Sequence, residues 1–207
     1  KGAGMMEMAG LAQKGGAVHI HLRLADRPED ISAIRGATGE MDALIGGDLV
    51  VSAVAKTLGL MKTGRTGGVV NSHEIITGDF TRDTEFSIPS DRLELSLKAR
   101  LQDKLDLFDA SDLAKAVLID VIFSNMMILG AAWQKGLVPL TRDAILQAVA
   151  LNGAAAEKNQ RAFEVGRWAV LHPTEAERLI APNVVSLPKT LDDKIAYRFD
   201  HLVKYQS

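Results

Sequence analysis

Gln13, Lys14, Gly15 and Gly16 stand directly in front of a stretch in which apolar and polar residues alternate. Glycine takes backbone angles closed to other residues, so these four can turn tightly and present free N–H groups beside a flexible ammonium. That combination suits an anionic ligand, phosphate above all. On turn chemistry alone the Gly-Gly pair is simply a turn, and both readings stand at this point. His19 and His21 have the spacing of an H-x-H metal pair. The chain has no cysteine and no carboxylate adjoins the pair, so they read as polar-face histidines and no metal site is expected.

A second group of candidates comes from topology. In open parallel sheets, ligands gather beyond the carboxyl ends of the strands. The strand ends expected here supply Asp48, Asn71, His73 and Asp109. Asp48 and Asp109 read equally as helix N-terminal carboxylates that complement the helix dipole. His73 and Glu74 have the composition of an acid/base pair, but adjacent loop residues commonly point apart. No nucleophile has a base at a telling distance, so no catalytic residue is expected in the chain.

The elements that must position these residues follow from periodicity. Val18, Ile20, Leu22 and Leu24 alternate with His19, His21 and Arg23, as in a strand with one apolar face. Residues 4–8 form another strand, and the sheet is expected to continue at 43–47, 68–71 and 105–109. Most of these runs are short and lack alternation, as strands covered on both faces do. Helices are expected at 48–61, at 90–101 with Leu93, Leu97 and Leu101 in step, and from residue 111 onward with Ser111 as N-cap. This order predicts an α/β fold, a doubly wound, mostly parallel, Rossmann-like sheet.

After Gly136 the pattern becomes helical. Thr141 caps a helical pair broken near Asn152 and Gly153, and Ala155, Ala156, Asn159, Phe163, Gly166 and Val170 share a stripe of that C-terminal helical layer. Residues 172–188 carry three prolines and read as an extended connector. Leu191, Ile195, Phe199 and Leu202 then mark an amphipathic helix with nothing after Ser207 to pack on. The expected organisation is an α/β domain over 1–171 and a connector with helix over 172–207. In a doubly wound sheet the first strand and its Gly-rich turn would precede Lys1, so the chain reads as a fragment of a larger protein.

Composition narrows the function classes. The 207 residues are 47% hydrophobic and 24% charged, enough for one sizeable core. A net charge of −2 with dispersed lysines and arginines offers no basic stripe for nucleic acid. Without cysteine there are no disulfides and no thiolate-held clusters, and nothing at the start resembles a signal peptide, so the default location is cytoplasmic. The apolar run 114–133 is interrupted by Lys115, Asp120 and Asn125 and reads as a buried helix, not a membrane span. Gly2-Ala3-Gly4 precedes a strand instead of following one, which fails the G-x-G-x-x-G test for a dinucleotide-binding dehydrogenase domain.

Three segments are familiar together: MAGLAQKGGAVHIHLRLADRPEDI, NMMILGAAWQKGLVPL at 125–140 and LNGAAAEKNQRAFEVGR at 151–167. They resemble the gamma-type domain of the 2-oxoacid:ferredoxin oxidoreductases. DRPEDI, VVNSHE, TGDFTRD and AWQKGLVPL resemble in particular the large fused bacterial indolepyruvate:ferredoxin oxidoreductases, and LVKYQ resembles the point where that chain continues. The resemblance spans essentially the whole chain. It implies an enzyme that oxidatively decarboxylates aryl pyruvates to aryl-acetyl-CoA and passes electrons to ferredoxin. Thiamine diphosphate with magnesium, iron–sulfur clusters and CoA would be its cofactors. The thiamine and cluster sites would lie on other domains of the same polypeptide, in a homo-oligomer. The resemblance also implies that Gln13, Lys14, Gly15 and Gly16 contact CoA, although Gln13 stands where some relatives carry a second basic residue. A domain serving only to hold the assembly together is the alternative.

Overall fold

The computed structural model of the chain describes residues 2–9, 17–73, 90–181 and 191–206. Strands β3 (Ala43–Gly46), β4 (Gly67–Asn71) and β5 (Leu105–Phe108) form a parallel sheet in that order, after an N-terminal ribbon of β1 (Gly2–Ala9) and β2 (Val18–Ala25). The central strand β4, GGVVN, is buried along its whole length. Side chains of consecutive strand residues point to opposite faces, and Val69 and Val70 accordingly serve two separate cores. Val70 packs with Leu49, Leu97 and Leu101, from α1 (Leu49–Ala53) and α3 (Ser90–Leu101), the short α2 (Ala55–Leu60) lying between them in sequence. Val69 packs with Leu113, Met127 and Ile128, from α4 (Ala110–Leu118) and α5 (Ser124–Gln134). Helices thus cover both faces, as the unalternating strands require, and the chain is an α/β fold with a parallel sheet.

The C-terminal helical layer consists of α6 (Arg142–Asn152) and α7 (Ala156–Leu171), followed by α8 (Pro173–Ile180) and α9 (Leu191–Gln206). Thr141 caps α6, its hydroxyl accepting from the Ala144 N–H at 3.3 Å, and Gly153 ends it at φ 73°. Helices α5 and α7 cross at backbone contact. A Cβ at Gly130 would lie 2.0 Å from the Phe163 carbonyl oxygen, and one at Gly166 would lie 1.8 Å from that of Met127. Neither position has room for any side chain. Phe163 is fully buried beside this crossing, with its ring 6.0 Å from that of Trp133.

Several expectations are corrected. The 48–61 helix is two helices, because Val54 adopts extended backbone at ψ 148° between them. The apolar run 114–133 also breaks: α4 stops where Ile119 turns left-handed at φ 65°, and a 3-10 turn leads into α5. Ser111 is not the N-cap of α4. Asp109 takes that place, accepting from the Asp112 N–H at 2.7 Å, and Ser111 lies buried inside the first turn. The extended connector is helical over Pro173–Ile180, where proline at the first position has no N–H to lose and a preset φ; residues 182–190 lie outside the described residues. On the α7 stripe Phe163 and Gly166 are buried, whereas Asn159 is half-buried with its amide donating to the Ala154 carbonyl, and Ala155 is exposed.

The largest correction concerns β1 and β2. They pair antiparallel with each other, Met5 opposite Leu22 and Glu7 opposite Ile20, and do not join the parallel sheet. The alternation predicted for β2 is present, but its faces are reversed. Val18, Ile20 and Leu22 are more than half exposed, and His21 on the polar face is 5% exposed. Among the described residues no helix is long and apolar enough to cross a membrane.

Candidate functional site

The carboxyl ends of the three parallel strands are tied together by one side chain. Asn71, at the end of β4, is 1% exposed. Its amide donates to the Gly47 carbonyl at 3.1 Å, beyond β3, and to the Ser111 hydroxyl at 2.9 Å, in α4 beyond β5. Its carbonyl accepts the N–H groups of Ala110 at 3.0 Å and His73 at 3.2 Å. An amide has two donors and two acceptor lone pairs, so Asn71 is fully satisfied inside the protein. It fixes the relative positions of the strand ends and of its neighbours there.

Those neighbours are His73, Asp109 and Asp48. His73 Nδ1 lies 3.2 Å from Asp109 Oδ2 while Asp109 Oδ1 caps α4. A carboxylate only accepts, so Nδ1 carries the hydrogen in this pair. Asp48 caps α1 in the same way, accepting from the Val51 N–H at 2.8 Å. His73, Asp109 and Asp112 each offer a ligand atom, all within 4.8 Å of one another, which is a composition able to hold a divalent cation. The expected strand-end residues are therefore brought together on one edge of the sheet. Glu74, the sequence neighbour proposed to pair with His73, lies outside the described residues; Asp109, 36 positions away, is the partner the structure provides.

The inward face of the ribbon forms a second polar region. His21 Nδ1 accepts the Gly36 N–H at 2.9 Å, so the ring is held with Nδ1 free of hydrogen. Burial lowers the His21 pKa first, and the positive charge of Arg35 lowers it further. His19 is lowered by burial and by Lys56, with Asp48 opposing. Arg23 grips Glu40, whose carboxylate also accepts the Ala37 N–H, and this hydrogen bonding holds the Glu40 pKa below the usual carboxylate range. The polar face of β2 thus clamps the loop carrying Gly36, Ala37 and Glu40, and its His19 end lies within electrostatic reach of the α1 N-terminus. Gln13, Lys14, Gly15 and Gly16 lie outside the described residues; the strand residues flanking their segment, Ala9 and Val18, are paired with each other.

Sequence reasoning did not find the roles of Ser111, Asp112, Gly36 or Glu40. Asn71 carried a signal in being the polar end of an otherwise apolar strand, whereas the other four become visible only through contacts distant in sequence.

Set against known protein families, residues 3–169 match the model for pyruvate ferredoxin/flavodoxin oxidoreductase. The chain belongs to that family. The matched span takes in the ribbon, the three-stranded sheet and the helical layer through α7, and so contains every strand-end candidate. No curated protein matches the chain. Membership of the family ties the chain to oxidation of 2-oxoacids with ferredoxin as electron acceptor, and it places α8 and α9 outside the matched span.

Proposed function

We propose that this chain is a domain of an aryl pyruvate:ferredoxin oxidoreductase, indolepyruvate being the model substrate, and that it contributes CoA contacts through Gln13, Lys14, Gly15 and Gly16. The observation that carries the reading is the family match over residues 3–169, joined by the four sequence segments DRPEDI, VVNSHE, TGDFTRD and AWQKGLVPL. The residues present do not fit an iron–sulfur cluster, because clusters are held by thiolates and the sequence has no cysteine. No GDG-type motif for thiamine diphosphate and magnesium is present either. The work of this domain is therefore binding and assembly, and the cluster and thiamine chemistry belongs to other domains.

Electrostatics favour the lysine turn over the strand ends for phosphate. Asp48 and Asp109 would repel an anion at the sheet edge, and Asn71 has no donor left for one. Lys14 supplies a positive charge beside glycine N–H groups, which suits phosphate oxygens. Lys14→Ala in the complete enzyme is expected to raise KM for CoA about ten- to a hundredfold, the value of a lost charge-assisted contact, with 2-oxoacid decarboxylation before the CoA step near normal. Lys14→Arg should restore part of the loss. A KM within about twofold of the parent, in a folded and cluster-loaded enzyme, would leave the purely structural role as the better reading.

A further inference from the structure

His73 and Asp109 form a pair whose two members are both fixed by other bonds. Asp109 Oδ1 accepts the Asp112 N–H at 2.7 Å and Oδ2 lies 3.2 Å from His73 Nδ1, so both carboxylate oxygens are engaged. The buried Asn71 carbonyl accepts the N–H of His73 at 3.2 Å and that of Ala110, next to Asp109, at 3.0 Å. One amide thus sets the spacing of the two backbones that carry the pair. With the hydrogen on Nδ1, a neutral ring has its lone pair on Nε2, and the carboxylate stabilises the positive ring formed when Nε2 takes a proton. This is the arrangement of a general base oriented by a carboxylate. The two side chains are 40% and 22% exposed, so the ring is held in place and still within reach of a ligand.

The reaction has a proton for such a base. Oxidation of a 2-oxoacid anion with CoA yields a thioester, carbon dioxide, two electrons for ferredoxin and one proton, and that proton is the one on the CoA thiol. The nucleophile is the thiolate, and a thiol with a pKa of about 8.5 stays mostly protonated at neutral pH. Imidazole is the side chain suited to exchange a proton there. Resting on the CoA reading above, the geometry points to His73 as the general base that takes the proton from the CoA thiol, with Asp109 as its positioning residue. In this step the S–H bond breaks, an Nε2–H bond forms and the electron pair stays on sulfur; the proton then passes to solvent. No oxidation or reduction is involved, so the step needs nothing that the chain lacks.

Topology and charge support the placement. The pair stands at the carboxyl edge of the parallel sheet, where ligands gather. His19, near the start of β2, feels the charge of Asp48 beyond β3, so the strand that follows the lysine turn begins close to the same edge. The carboxylates that would repel phosphate there do not repel an uncharged thiol, which lies at the far end of CoA from its phosphates. A divalent cation suits the cluster less well, because α4 directs the positive end of its dipole at it and both Asp109 oxygens are already bonded.

The test uses the complete, cluster-loaded enzyme, reacted with indolepyruvate before CoA is added, and reads the single-turnover rate of thioester formation from about pH 6.5 to about pH 9.5. At the acid end His73→Gln should slow this step about 10²- to 10⁴-fold at saturating CoA, with the apparent affinity for CoA within about twofold of the parent. The rate should then climb roughly tenfold per pH unit toward about pH 8.5, where the thiol ionises unaided. Asp109→Asn, which keeps an acceptor for the Asp112 N–H, should show a smaller loss with the same recovery, and it carries the test if His73→Gln fails to assemble. Added imidazole should restore part of the rate in His73→Ala. Three results would each overturn the proposal: an unchanged rate, a loss that is the same at every pH, and a loss that saturating CoA removes. If Lys14→Ala leaves KM for CoA unchanged, the CoA reading itself fails; if Lys14→Ala raises KM while one of those three results is found, only the assignment of His73 fails.

Discussion

The β1–β2 ribbon and the α5–α7 crossing handle their apolar residues in opposite ways. In the crossing, the centre of the stripe read from periodicity turns inward: Phe163 and Gly166 are buried, joined by Ala162 and Ala169, which lay outside that stripe, and glycine at 130 and 166 lets the two backbones touch. In the ribbon, an equally regular pattern turns outward. Val18, Ile20 and Leu22 face solvent, and His21 and Arg23 face the protein because Gly36 and Glu40 offer them partners there. A buried polar group is costly only when unpaired. Periodicity identifies an element and its two faces, and the neighbours decide which face is covered.

The contrast can be broken at the crossing first, where the effects are largest. Phe163→Ala should destabilise the domain by about 3 to 5 kcal/mol, as a large-to-small change at a fully buried site, read as a shifted midpoint in chemical denaturation. A loss below about 1 kcal/mol would show that the crossing is not anchored by this ring. Next come Gly130→Ala and Gly166→Ala. Each puts a methyl onto a carbonyl of the facing helix, and a cost of about 1 to 3 kcal/mol or more is expected, measured the same way. Two stable variants would mean that the helices can separate freely.

The ribbon is better sharpened by pH. His21 and His19 have folded pKa values below 6.5, so the unfolded chain binds more protons as pH falls beneath that value. The stabilisation from the neutral rings is fully present above pH 6.5 and is lost as pH drops from there toward the lowered folded values. Urea titrations across that window should show the decline. In His21→Gln, which keeps an acceptor for the Gly36 N–H without titrating, the slope should be shallower; an unchanged slope would place the pH dependence elsewhere. The smallest effect belongs to the outer face. Leu22→Thr should change stability by no more than about 0.5 kcal/mol, since the side chain is already in water. A larger loss would mean that this face is covered in solution.

Much of the scaffold was legible from local chemistry. The 90–101 helix, the β4 core strand, the Thr141 cap and the break at Gly153 all depend on residues within a few positions of one another, and each stands as read. The carboxylates at 48 and 109 likewise read as helix N-terminal groups, because a cap bonds to an N–H three residues away. The strand-end candidates were legible as a set, since the order of strands and helices brings those ends to one edge of the sheet.

What the sequence could not express was distance between remote parts of the chain. The bond between Asn71 and Ser111 spans 40 positions, and that between His73 and Asp109 spans 36; no periodicity carries such pairings. The breaks at Val54, which takes up extended backbone, and at Ile119, which turns left-handed, were not read from the pattern either. By itself the sequence determined the kind of fold and most of the elements, because hydrophobic period, caps and turns act locally, and its segments carried the resemblance to the family. Only the tertiary structure decided which face of the ribbon is buried and which carboxylate orients His73, because each of those outcomes depends on which groups, far apart along the chain, meet and satisfy one another.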